Sequence, residues 1–327
     1  MAATPLQEMI GELEHLRQSR VILYVGQDRG QLLHQISEDD VLPLFQCLRQ
    51  QERVDRLDLV LNTAGGSISI AHWLCRLCHD YGKHFSVLVP NKARSAATLL
   101  CLGAHEIVMG PFAQLGPIDP HIAQRESSVP GNPPIISAED IRAFQHMAKT
   151  WFGIQEEGEY NIQLLELLCR HIFPTSLTAF FRAAQQMEVT AEQHLGIHLP
   201  EASPELRQKI AEYFIQGCYS HDYIITRDDA REIGLNITSP SQQEETVLWQ
   251  IWEMCSQDLL SPLSALPSAE EGLYPLALVA STNFLARCVA RVQSVQGEND
   301  AAGVQHDAPL MIEHQWEMLS AGFSPHV

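Results

Sequence analysis

The residues best suited to chemistry lie in two runs, Leu57–Ser67 (LDLVLNTAGGS) and Asn91–Leu99 (NKARSAATL). The first reads as a short strand of branched apolar residues broken by a glycine pair, and the second opens an apolar helix on a serine. Gly65 and Gly66 accept positive φ or let another backbone approach closely. A loop of this kind at the carboxyl end of a strand aims peptide N–H groups at one point, as a developing oxyanion requires. Ser95 stands at a helix start, where free N–H groups and the dipole favour negative charge. Together the two runs read as the halves of a serine acyl-transfer site. Each also has a plainer use, since a glycine pair makes a tight turn and a serine before an apolar helix caps it.

The elements that must position these residues follow from apolar periodicity. Val21–Val25 is predicted as a first strand and Asp39–Gln50 as a helix. Leu57–Asn62 and Phe85–Val89 are strands on either side of the helix that contains Trp73. Ser95–Gly103 is the helix after the serine, and Glu106–Met109 a further strand. This alternation implies an α/β fold with parallel strands and right-handed crossovers, with LDLVLN covered on both faces. Arg125–Pro134 (RESSVPGNPP) is a polar, proline-rich loop, and from Ala138 to about Gln216 the chain turns helical. Leu6, Met9, Ile10, Leu13 and Leu16 form the apolar face of an N-terminal helix. In residues 238–327, TVLWQIWEMCSQ is a helix candidate between two linker-like stretches, whereas LYPLALVAS and FLARCVARVQSVQ read as two strands or as a strand and a helix.

Composition narrows the function classes. The chain of 327 residues is 45% hydrophobic and 19% charged, enough for one large globular domain or a domain with an extension. Its 40 acidic and 21 basic residues give a net charge of −19, which argues against nucleic acid as the main partner and against anionic membranes. No run approaches the roughly 18 apolar residues of a membrane helix, and the acidic N-terminus does not read as a secretory signal. A cytoplasmic protein is expected. Eight scattered cysteines suit reduced thiols used as small hydrophobes. Cys75-Arg-Leu-Cys78-His79 has metal or haem-attachment spacing, but it lies within a predicted helix and no second such pair exists. A structural zinc needs four ligands, so packing is the expected role, and neither metal nor cofactor is expected. No P-loop is present, so ATP-dependent unfolding of a substrate would need a separate activating protein.

The motifs TAGGS, ARSAATLLCLGAHEIVMGP, LGPIDP and HDYIITRDDAREIGL, in that order, resemble the serine dehydrogenase proteinase family over residues 20 to 237. That family is similar to signal peptide peptidase A and to the proteolytic subunit of Clp. The resemblance implies the Clp/crotonase-like fold, with repeated β-β-α units and a helical segment. It divides the chain into an N-terminal amphipathic helix (1–20), a serine peptidase domain (21–237) and a C-terminal extension (238–327). It implies Ser95 as nucleophile, the N–H groups of Gly65 and Ala96 as oxyanion donors, and Gly66 as the residue shaping that loop.

Asp222, twelve residues before Gly234, matches the position of the Clp subunit's triad aspartate. There a buried carboxylate would fix the tautomer of a histidine base, although Asp also caps turns readily. His121, 26 residues after Ser95, stands near the Clp histidine position, with Asp119 aligning almost as well and His221 as a further candidate. Signal peptide peptidases use a lysine, which must be desolvated to act as a base. Of the four lysines, Lys149 is the one at a plausible distance downstream. The resemblance also implies a homo-oligomer that confines its serines and admits peptides or unfolded protein. Two other classes stay open: a crotonase-type enzyme acting on an acyl thioester, and an inactive protein that binds peptides or assembles partners.

Overall fold

The computed structural model describes residues 4–27, 33–50, 52–118, 121–123, 135–137, 159–218, 222–264, 272–299 and 305–319, with Ser220 and single positions between 141 and 151. Helix α1 (Pro5–Arg17) starts on Thr4, whose hydroxyl accepts from the Gln7 N–H while the Gln7 side chain accepts from the Thr4 N–H. Then come β1 (Arg20–Gly26), a 3-10 turn (Glu38–Asp40), α2 (Val41–Leu48), β2 (Val54–Asn62), α3 (Ile68–Tyr81) and β3 (Gly82–Val89). The site region follows with β4 (Lys92–Ala93), α4 (Ala96–Leu102), β5 (Glu106–Met109), β6 (Gln114–Leu115), β7 (His121–Ala123) and β8 (Ile135–Ser137). The helical part holds α5 (Glu159–His171), α6 (Pro174–His198), α7 (Pro204–Glu212) and a π-helical turn (Tyr213–Gly217). Last are β9 (Ile225–Thr226), α8 (Arg227–Ile233), β10 (Ile237–Thr238), α9 (Gln242–Ser264), β11 (Gly272–Ser281), β12 (Phe284–Asn299) and β13 (Gln305–Met318).

The expected α/β architecture is observed. The main sheet runs β10-β5-β3-β2-β1-β11-β12-β13; its first five strands are parallel and its last three antiparallel. Successive β1 residues face opposite layers: Ile22 and Tyr24 join the core beneath α2, α3, α4 and α6, and Val21, Leu23 and Val25 the core beneath α1 and α9. Cys75 and Cys78 lie buried in the first core, with burial pushing the Cys75 thiol up to about 12. No helix among the described residues is long and apolar enough to cross a membrane.

Both LYPLALVAS and FLARCVARVQSVQ are strands, so the open choice between strand and helix resolves to strands. The reason lies in β1, which is buried along its whole length. A fully buried strand with one edge bare would leave its N–H and C=O groups unpaired. β11 pairs that edge, from Leu23↔Ala280 to Gly26↔Ala277, and carries β12 and β13 with it. The 238–327 segment therefore continues the sheet, while α9 packs against α1 through Val247, Leu248 and Ile251.

A buried charge cluster joins the two ends of the chain. Arg17 on α1 meets Asp58 on β2 (2.7 Å), Glu106 on β5 (3.0 Å) and Glu244 on α9 (3.3 Å). The Asp58 side chain is fully buried, and Ser19 also donates to it (2.8 Å). Replacing one partner leaves buried charge uncompensated, so Arg17→Met is expected to cost about 3–5 kcal/mol in urea unfolding.

Candidate active site

Ser95 and the glycine pair meet because β2 and β3 are parallel neighbours, so the loops at their carboxyl ends emerge side by side. Backbone bonds then lace the loops together: Thr63 N–H donates to Lys92 O (3.0 Å) and Arg94 N–H to Thr63 O (3.2 Å). Asn62 Oδ1 accepts from Lys92 N–H (3.1 Å). On the other side, Thr98 Oγ1 lies 2.7 Å from Ala93 O and accepts from Gly116 N–H (3.1 Å), which ties α4 to the LGPID segment.

Ser95 has φ 52 and ψ −122, one of two non-glycine residues with positive φ among those described. This is a costly conformation for an L-residue. The serine precedes α4 without capping it by a side-chain hydrogen bond, so the N-cap role open to it from sequence is not used. Gly65, at φ 105, lies directly against it: a Cβ there would fall 2.6 Å from Arg94 O, 2.8 Å from Ser95 Cβ and 3.1 Å from Ala96 N. Gly66, at φ 149, is crossed by the backbone of Ile36. Ile36 N–H donates to Gly65 O and Ser67 N–H to Ile36 O, both at 2.8 Å. Residues 34–37 thus clamp the glycine loop, a contact for which the sequence carries no local signal.

The donors divide unequally. Gly65 N–H is already engaged with Thr63 Oγ1 at 3.2 Å. Neither Gly66 N–H nor Ala96 N–H has an acceptor among the described residues, and Ala96 opens a helix, whose first amides have no intrahelical partner. Gly65→Ala places a methyl where backbone stands and strains φ. The expected outcome is a drop in Tm together with an about 10²-fold slower reaction of Ser95 with a serine-directed probe, on the scale of losing one oxyanion donor.

Of the other candidate side chains, only that of Asp222 lies among the described residues. The Asp222 side chain is 92% exposed and 3.9 Å from Arg94 Nη1. It does not occupy the buried position expected of an aspartate that orients a histidine. It stands in a short turn before β9, open to solvent. The backbone of His121 pairs with Ser137. The side chain of His121, together with Asp119, Lys149, His221 and the 125–134 loop, falls outside the described residues. Among the described residues no group of three metal-ligating side chains could hold an ion.

The histidines found in this region are structural. His194 Nδ1 donates to Leu99 O on α4 (2.7 Å) while its Nε2 accepts from His72 (2.9 Å). His198 Nδ1 donates to Ala104 O (2.7 Å) and its Nε2 accepts from Asn236 N–H (2.9 Å). Burial holds both imidazoles neutral, down to about 4. They fasten the C-terminal end of the serine's helix to α6.

Residues 4–132 match the family model of the ClpP-like SDH-type serine proteinases. The matched span holds the glycine loop and Ser95. Two uncharacterized proteins of Methanocaldococcus jannaschii are also similar. MJ0137 is 22% identical over 252 residues, covering 75% of this chain and 78% of that protein. MJ1495 is 21% identical over 265 residues, covering 79% and 78%. Among solved structures, a point mutant of 1510-N membrane-bound stomatin-specific protease aligns at 16% identity and TM-score 0.39 over 69% of this chain and 80% of its own. A point mutant of ClpP1 from Listeria monocytogenes aligns at 12% identity and TM-score 0.37 over 71% and 99%.

Proposed function

We propose that this protein is a serine peptidase-like hydrolase that cleaves peptide bonds through Ser95. The observation that carries the reading is the strained backbone of Ser95 (φ 52) at the start of α4, with Gly65 packed directly on it. Strain at a single polar residue is retained where surrounding structure over-determines it, and it clusters at reacting groups. Ser95 Oγ attacks the substrate carbonyl, and the N–H groups of Ala96 and Gly66 receive the oxyanion. This reading moves the donor role from Gly65, whose amide is occupied by Thr63, to Gly66. His121 or Lys149, with His221 third, takes the serine proton and returns it to the leaving amine. Asp222 faces solvent beside Arg94 and has no step in this mechanism.

The proposed substrate is a peptide or unfolded segment. The proposed working form is a homo-oligomer, supported by the exposed Ile162, Leu165, Phe173 and Phe181 on and between α5 and α6. A separate activating protein and a cytoplasmic location belong to the same reading.

The test is covalent labelling of the purified full chain with a fluorophosphonate, followed by mass spectrometry of its peptides. Label on Ser95, absent after prior heat unfolding, is the expected result. A folded protein labelled only at other residues, or not at all, would overturn the assignment.

A further inference from the structure

The C-terminal hairpin reaches the back of the glycine loop through one buried carboxylate. Asp40 is 1% exposed. Its Oδ2 accepts from Tyr24 Oη (2.7 Å) and from Ser37 N–H (2.8 Å), and its Oδ1 accepts from the indole N–H of Trp316 on β13 (3.2 Å). His34 Nε2 stands 3.0 Å from the same Oδ1 without hydrogen-bond alignment. Next to it, His314 on β13 meets Asp39 (3.0 Å).

Ser37 follows Ile36 directly, and Ile36 forms the bridge that crosses Gly66. Each link is therefore a fixed contact: Trp316 to Asp40, Asp40 to the Ser37 amide, Ile36 to the glycine loop, and Gly65 to Ser95 and Ala96. Two side-chain donors on one strand aimed at residues 39 and 40 exceed what pairing β13 with β12 requires, since that pairing is made by backbone.

We propose that Trp316 and Asp40 are positioning residues, through which the C-terminal strand holds residues 34–37 against the glycine loop and keeps its amides aimed at Ser95. The catalytic half of this proposal rests on the serine-hydrolase reading; the mechanical half does not. Loss of the Trp316 bond would loosen the segment that carries the Ile36 bridge.

The decisive variant is Trp316→Phe, which keeps an aromatic ring and removes the N–H. Amide hydrogen exchange in full-length protein is read at Ile36 and Ser67, the two amides of the bridge. The expected result is exchange about tenfold faster at both, with Leu59 and Val87 in the sheet centre unchanged, as local opening predicts. Fluorophosphonate labelling of Ser95 should slow about fivefold in its maximal rate, at an unchanged half-saturating reagent concentration, since an aimed donor acts on the reacting state. Glu313→Gln, which removes an exposed ion pair with Arg291 on the same hairpin, should move neither readout. Equal exchange in wild type and Trp316→Phe, or equal acceleration by Glu313→Gln, would overturn the proposal. If Trp316→Phe folds poorly, Asp40→Asn, whose single carbonyl oxygen can accept from the Ser37 amide while its NH2 leaves the Trp316 indole without an acceptor, carries the same comparison. Absence of labelling in the wild type would sink the hydrolase reading while the exchange result still decides the mechanical link.

Discussion

Ser95→Ala is expected to lower hydrolysis of a peptide or ester substrate by at least about 10⁴-fold, because in the proposed mechanism it removes the nucleophile and leaves only the oxyanion donors and binding to act. Its effect on stability should be small. The Ser95 side chain makes no capping hydrogen bond, so alanine loses none, and serine and alanine share the Cβ that makes φ 52 costly. Ser95→Gly separates the two roles: it also lacks the nucleophile, yet it removes the Cβ strain and is expected to raise stability by about 1 kcal/mol. Rates with a chromogenic ester and urea midpoints for the three proteins check this. An alanine variant retaining a tenth of wild-type activity would place the chemistry on another residue.

Acid is expected to weaken the fold well above the pH at which carboxylates titrate. His194 is 1% exposed and His198 is 3% exposed, and burial holds each neutral down to about 4, against an ordinary value of 6.5. Both are depressed, so the folded state refuses protons that the unfolded chain accepts below 6.5. Stability is therefore full above pH 6.5 and falls as pH drops toward 4, by about 3 kcal/mol per imidazole at about 1.36 kcal/mol per unit. Two such groups remove a large share of the roughly 5–15 kcal/mol that holds a domain. His34 is likewise lowered to about 4, and its neighbour Asp40 is raised to about 6 by burial. A raised carboxylate relieves the fold as pH falls through 6, so these two largely offset each other. Burial alone would raise Glu106 and Glu244, but their hydrogen bonds and Arg17 outweigh it and hold both low, so their protonation below 4.5 adds further loss. Urea midpoints at pH 7, 5.5 and 4.5 measure the slope; a flat profile between 7 and 4.5 would contradict it. Because both imidazoles bind carbonyls at the end of α4, Ser95 labelling should fade in step with stability.

The parts of the site that were legible share a property: each depends on a short run of residues. Gly65 and Gly66 announce a loop where side chains have no room, and Ser95 announces a helix start. The plain alternatives for those residues were separated only by contacts. The N-cap reading of Ser95 gave way because its side chain makes no capping bond to α4. The proposed mechanism gives the donor role to Gly66 because Thr63, two residues before Gly65, turns its hydroxyl back onto the Gly65 amide. Asp222, aligned by spacing alone, lies in solvent beside Arg94, since spacing along a chain says nothing about what covers a side chain.

By itself the sequence determined the alternation of strands and helices, the parallel character of the β1 to β5 region, and the two runs that meet at its carboxyl edge. These follow from local apolar period and from glycine and serine chemistry, which act over a few residues. Tertiary structure alone decided that the last strands continue the main sheet, that Arg17 on α1 reaches Asp58 and Glu244, and that Ile36 crosses the glycine loop while Asp40 accepts from the Ser37 amide. Apart from the Ser37 bond, each of these depends on a partner far away in the chain, and burial sets its strength: a strand edge must be paired and a buried charge must be compensated, whichever distant residue supplies the means.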